Sequence, residues 1–119
     1  MLYPLAFDAT AEQNHQWRSL MAQALDRAEH FRIHCWAEES AEIAMALDYG
    51  RLEESPWPYG KVISGEVTPE FRAFLLGLPK PGDTELYNKM TPFFSIFLDD
   101  RFSSEHYGTE LYGDANTES

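Results

Sequence analysis

The chain has 119 residues, a net charge of −11, one cysteine and an aromatic fraction of 14%. That length suits one domain with one core, and the apolar content argues against global disorder. The acidity excludes binding through nucleic-acid phosphates, which needs a basic face to release counterions, and disfavours anionic membranes.

The opening residues MLYPLAFDAT have neither a basic start nor a long apolar stretch, so no secretory signal is expected. No apolar run in the sequence approaches the ~20 residues of a membrane helix. Cys35 has no second cysteine with which to close a disulfide. The expectation is a soluble, cytoplasmic protein.

In chain order, LYPLAF (2–7) is a short apolar run suited to a first strand. Thr10 and Gln13 form a capping box, and Trp17, Leu20, Met21, Ala24 and Ala28 recur at helical spacing. They predict a helix over residues 11–28. Phe31, Ile33 and Cys35 then alternate with Arg32, His34 and Trp36, which is the period of a strand. Phe31 and Cys35 also extend the helical stripe, and no Gly or Pro falls between residues 5 and 49. One helix through residue 48 is therefore the alternative, but ~40 residues is long for a compact domain. Helix–strand–helix is the preferred order.

SAEIAMAL (40–47) predicts a short helix closed by Asp48-Tyr49-Gly50, with Gly50 in a left-handed cap. Residues 51–67 contain two prolines and two glycines and read as a long loop with a short strand at KVIS. Thr68-Pro69-Glu70 is a strong helix start, with Phe71, Phe74 and Leu75 on one face and Gly77 and Pro79 as the stop. KPGD (80–83) is a turn, and TELYNKM (84–90) adds one or two helical turns. PFFSIFLDD (92–100) is the strongest strand, with Phe94, Ile96 and Leu98 on one side and Phe93, Ser95 and Phe97 on the other. Apolar residues on both sides predict a central strand, or one at an interface. GDANTES (113–119) reads as a flexible acidic tail beyond a domain of residues 1–112. The resulting class is α/β (α+β), three or four helices packed on a small sheet of undetermined strand order.

Little in the sequence points to chemistry. His30 and His34 have a spacing used by zinc sites on helices, but position 31 is Phe where a general base would stand. On a strand the two lie about 13 Å apart, too far for one metal. Cys35 among alternating apolar residues reads as a buried thiol rather than a nucleophile. Ser103, Ser104 and His106 lie close together without a nucleophile elbow, and no phosphate-binding glycine loop occurs. No catalytic residue, metal ligand or cofactor is expected.

The charge is unevenly placed. Residues 29–54 carry seven acids against Arg32 and Arg51, and residues 99–119 carry six against Arg101. These two segments hold −10 of the −11, and both contain aromatics. Carboxylates mixed with Trp and Tyr suit a basic protein partner, the charges steering encounter and the rings anchoring. The candidate partner-binding residues are Trp36, Glu38, Glu39, Glu42, Asp48, Glu53, Glu54, Trp57, Asp99, Asp100, Tyr107, Glu110 and Tyr112. In size and charge class the chain resembles bacterial immunity proteins and antitoxins that occlude the cationic site of a nuclease toxin. Two alternatives stand beside this expectation. One is a nucleic-acid mimic of the anti-restriction or phage-encoded kind, which the neutral stretch 55–98 disfavours. The other is a small enzyme holding a divalent metal on its acidic pairs.

Overall fold

The structure, a computed structural model, describes residues 3–4, 14–54, 58–78, 91–99, 101–108 and 110–113, with backbone alone for 3–4 and 14–16. The alternation over residues 30–36 prevails over the helical stripe. Helix α1 (Asn14–Arg27) ends before it, and His30–Trp36 forms a strand with Phe31, Ile33 and Cys35 buried. The capping box at Thr10 lies outside the described residues.

In chain order the elements are β1 (Tyr3–Pro4), α1, β2 (His30–Trp36), α2 (Ser40–Leu47), β3 (Arg51–Glu53), β4 (Gly60–Glu66), α3 (Pro69–Gly77), β5 (Ser95–Leu98), β6 (Phe102–Glu105) and β7 (Glu110–Gly113). The strands form one sheet in the order β1-β7-β6-β5-β2-β4-β3, with every neighbouring pair antiparallel. The class is thus α+β, with three helices among the described residues and a seven-stranded sheet, larger than the small one expected. None of the described helices is long and apolar enough to cross a membrane.

Register places Phe31, Ile33, Ile63, Ile96, Leu98, Phe102, Ser104 and Leu111 on one face of the sheet. Buried residues of all three helices join these in one core: Trp17, Met21 and Leu25 of α1, Ala46 of α2, and Phe71 and Leu75 of α3. Helix α1 is pinned to the sheet where Trp17 Nε1 donates to Ser104 Oγ (3.1 Å), which satisfies two buried polar groups at once. Arg18 donates to the carbonyls of Leu76 and Leu78, the latter at 2.6 Å, and so occupies orphan acceptors at the end of α3. The start of α3 is as its residues predict: Thr68 Oγ1 accepts from Phe71 N (3.0 Å) and Pro69 opens the helix.

Several expectations need correction. Residues 51–67 are not a long loop with a short strand. They contain two strands, β4 running the full length of β2 from Gly60 to Glu66, because Val62 and Ile63 gain partners on both sides of the pleat. The chain after Asp99 forms the β6–β7 hairpin, which the small polar residues Ser103 and Ser104 conceal from a hydrophobic-pattern reading. Gly113 is the last residue of β7 and is buried. In 92–98 the alternation breaks between Phe94 and Ser95. Phe93 is buried in the core, whereas Phe94 is half-buried and packs on Trp36. The predicted turns over 80–90 lie outside the described residues.

Gly50 ends α2 without a left-handed conformation, and its role is spatial. A Cβ there would stand 2.4 Å from Ser64 O and 2.9 Å from Phe31 Cζ. Gly65 is similarly tight, 2.8 Å from both Phe31 Cε2 and Tyr49 O. The two glycines let the Tyr49–Gly50 backbone cross β4 directly beside the Phe31 ring. Gly65→Ala should therefore lower the free energy of unfolding by ~1–3 kcal/mol, an overpacking cost read from urea denaturation. An unchanged midpoint would show that this crossing has slack.

Candidate interaction surface

The second face of the sheet carries no described helix. Two rows of side chains cross it. One runs Glu53, Val62, His34, Ser95, Glu105, Glu110 over β3, β4, β2, β5, β6 and β7. The next runs Arg51, Ser64, Arg32, Phe97, Ser103, Tyr112. Strands from the two acidic segments thus lie in one sheet, and their carboxylates share a row.

The face is mixed rather than wholly acidic. Arg32 Nε pairs with Glu53 Oε2 at 3.3 Å. Ser103 donates to Glu105 Oε2 (2.9 Å), Tyr112 donates to Glu110 Oε1, and His106 Nδ1 lies 2.6 Å from Glu110 Oε2. The hydrogen bond to Glu110 raises the Tyr112 hydroxyl above its ordinary pKa. Near β3, Arg32, Arg51, Glu53 and Phe97 border an open depression of about 470 Å³.

At the opposite end of β2, aromatic rings gather. Trp36 packs on Phe94 with centroids 5.0 Å apart, and Phe94 meets His106 at 5.6 Å and Tyr107 at 5.3 Å, both edge-on. Tyr107 is only 7% exposed. It sits in a turn whose residues His106, Tyr107 and Gly108 all have positive φ (52°, 61° and 85°). That conformation strains a tyrosine, which keeps it only where the surroundings enforce it. Here Tyr107 N donates to Phe94 O (3.0 Å), its carbonyl accepts from Thr91 N (3.2 Å), and its hydroxyl donates to Glu39 Oε2 (2.9 Å). Glu39 Oε1 accepts from Trp36 N (2.8 Å). One carboxylate therefore fastens the β2–α2 turn to the β6–β7 hairpin.

The thirteen candidate residues consequently separate. Glu38, in the turn between β2 and α2, is exposed, and Glu42, in the first turn of α2, is half-buried. Trp36, Glu110 and Tyr112 line the helix-free face, with Glu53 at its β3 edge. Glu39 and Tyr107 have their polar atoms engaged within the chain. So does Asp99, whose oxygens accept from Glu29 N (2.7 Å) and His30 N (2.9 Å) and cap the start of β2. Asp48 lies across α2, about 13.5 Å of helix rise from Glu39, and Glu54 is exposed beyond β3. Trp57 and Asp100 lie outside the described residues. Phe94, Phe97, Glu105 and His106 belong to the surface although their sequence signals, a broken alternation and a hairpin poor in apolar residues, point elsewhere.

His30 and His34 share a face of β2 but have separate neighbours. His30 Nδ1 is 3.7 Å from Asp99, and the His34 ring packs on Phe97 at 4.9 Å. No group of three His, Cys, Asp or Glu able to hold a metal occurs among the described residues. Burial pushes the Cys35 thiol up to about 12, with Glu39 and Glu42 adding to the shift, so the nucleophilic thiolate is strongly disfavoured. Protein-family models, curated proteins and solved structures give no match to the chain.

Burial holds the His34 pKa below its ordinary value. Arg32 acts in the same direction, and Glu53 and Glu105 oppose it. Above about pH 6.5 His34 is neutral in folded and unfolded chains alike; below it the unfolded chain takes the proton first, so stability falls. Wild type should lose more stability than His34→Gln between about pH 7 and about pH 5.5, as measured by urea midpoints. Equal losses would show that His34 charges freely in the fold. In a double-mutant cycle, Glu39→Gln and Tyr107→Phe should show a coupling energy on the order of 1 kcal/mol. Additive effects would mean that the contact holds nothing.

Proposed function

We propose that the protein is an inhibitory binding module that docks on a basic protein partner, a nuclease-type toxin, in the manner of a bacterial immunity protein or antitoxin. The observation behind this reading is the convergence of the two acidic segments. Glu53, Glu105 and Glu110 fall in one row of a helix-free sheet face, with Glu38 two residues after Trp36 and Glu42 in the first turn of the helix that follows. Rings grouped beside carboxylates match what anchoring and steering require: aromatics contribute affinity at the centre, and charges raise the association rate.

In this mechanism Glu38, Glu42 and the carboxylate row occupy the toxin's phosphate-binding groups, while Trp36, Phe97 and Tyr112 supply contact area. Substrate is excluded by occupancy, with no chemistry on the inhibitor. Glu39, Tyr107 and Asp99 act indirectly by holding the turn, the hairpin and the start of β2. A nucleic-acid mimic fits less well, because a phosphate-like repeat needs an unbroken acidic stripe, and Arg32 and Arg51 interrupt this face.

The decisive experiment pairs the protein with basic nuclease toxin domains, following nuclease activity and binding rate. Stoichiometric inhibition is expected, with association slowing as salt rises. Glu38→Lys/Glu42→Lys should slow association by on the order of tenfold while Glu54→Lys changes it little. A nuclease that stays active with saturating protein, or association indifferent to salt, would remove the proposal.

A further inference from the structure

The two edges of the sheet are built differently. β1 is two residues long and contains Pro4, which has no amide to offer a further strand. β3, Arg51–Glu53, is the opposite edge. It pairs with β4 on one side and has no described strand on the other. Leu52 is 52% exposed on it, and Leu47, at the end of α2, is 41% exposed. A row of peptide groups with no partner strand among the described residues, beside exposed leucines, is an invitation to strand addition.

The side chains of β3 say which strand would fit. Arg51 and Glu53 point to the helix-free face, in register with Ser64 and Val62, while Leu52 points to the helix side opposite Ile63. We infer that β3 is a dimer seam: its outer edge pairs antiparallel with the same strand of a second copy, about a two-fold axis through Leu52. In that register Arg51 lies opposite the second copy's Glu53 on one face, Glu53 opposite its Arg51, and the two Leu52 side chains meet on the other. The other two registers centred on a residue of β3 fail. An axis through Arg51 sets arginine against arginine, an axis through Glu53 sets glutamate against glutamate, and like charges directly opposite are destabilising.

The seam's charges are available to it. Arg51 makes no ion pair among the described residues, and Glu53 meets Arg32 through Oε2 only. The same two charges discourage promiscuous apolar strands, so the edge is guarded against most partners and complementary to itself. Closed two-fold pairing also uses up the edge, which stops growth into a filament. A three-residue seam is small, and the association is accordingly concentration-dependent. The seam shares Glu53 with the carboxylate row of the proposed toxin-binding face, whereas Glu38 and Glu42 lie towards the other end of α2 from Leu47.

Sedimentation equilibrium on the full chain tests this. Wild type should shift with concentration from the 13.7 kDa chain mass towards twice that value. Arg51→Glu and Glu53→Arg should each remain at the monomer mass with an unchanged far-ultraviolet spectrum. Mixed in equal amounts, the two variants should recover the dimer. The introduced glutamate of one then faces the introduced arginine of the other, and the remaining native Glu53 and Arg51 face each other across the seam. A wild type that stays monomeric at every concentration overturns the inference. So does a dimer that persists in both single variants, or a mixture of folded variants that fails to associate. Binding of an unrelated extended peptide at β3 without self-association would overturn it as well.

Discussion

The stack of Phe31 on Phe71 organises this molecule. The rings are 4.0 Å apart and inclined by 6°, both buried, and they join the central strand β2 to helix α3. The stack exists only because two backbone segments withdraw from it, at Gly50 and Gly65, where any Cβ would collide with the Phe31 ring. Tyr49, the residue before Gly50 at the end of α2, then packs on Phe74 at 4.5 Å and meets Phe71 edge-on at 5.9 Å. One aromatic group thereby sets the positions of α2, α3, β2 and β4 together. Aromatic pairs bring large buried area and a geometric preference, so they fix orientation as well as proximity.

With the helices committed to that side, the other side of the sheet is left to polar and aromatic residues. Its order comes from short-range fastening. Asp99, itself at positive φ (51°), turns the end of β5 back onto the start of β2, and Glu39 ties the end of β2 to the β6–β7 turn. Both carboxylates satisfy backbone amides that the turns leave unpaired. A net charge of −11 therefore overstates the acidity offered to a partner, because part of it is engaged inside the fold. What remains on the helix-free face, Glu53, Glu105 and Glu110 in one row, is a smaller and more directional surface.

Local signals suffice where one physical cause dominates. Thr68-Pro69-Glu70 starts α3 because capping, a pre-set φ and the helix dipole agree. SAEIAMAL is α2 from its first residue to its last. Phe31, Ile33 and Cys35 are core. Signals fail where the stabilising partner is distant in sequence. β3 and the hairpin of β6 and β7 are short, polar strands whose hydrogen bonds come from neighbours, and nothing local distinguishes them from loop. Gly50 suggests a conformational role because it follows a helix, but its real constraint is the ring of Phe31, far earlier in the chain.

By itself, then, the sequence determined composition-level and nearest-neighbour properties: an acidic α+β domain, three or four helices, a buried central strand and two charged segments. Those follow from spacing and capping, which act over a few residues. Only the tertiary structure decided that the two segments share one sheet, that all described helices lie on its other face, and that Glu39, Tyr107 and Asp99 bind inward. Each of these depends on strand order and register. Those are settled by packing among residues tens of positions apart, and the polar residues of β3, β6 and β7 carry no hydrophobic period that would announce it.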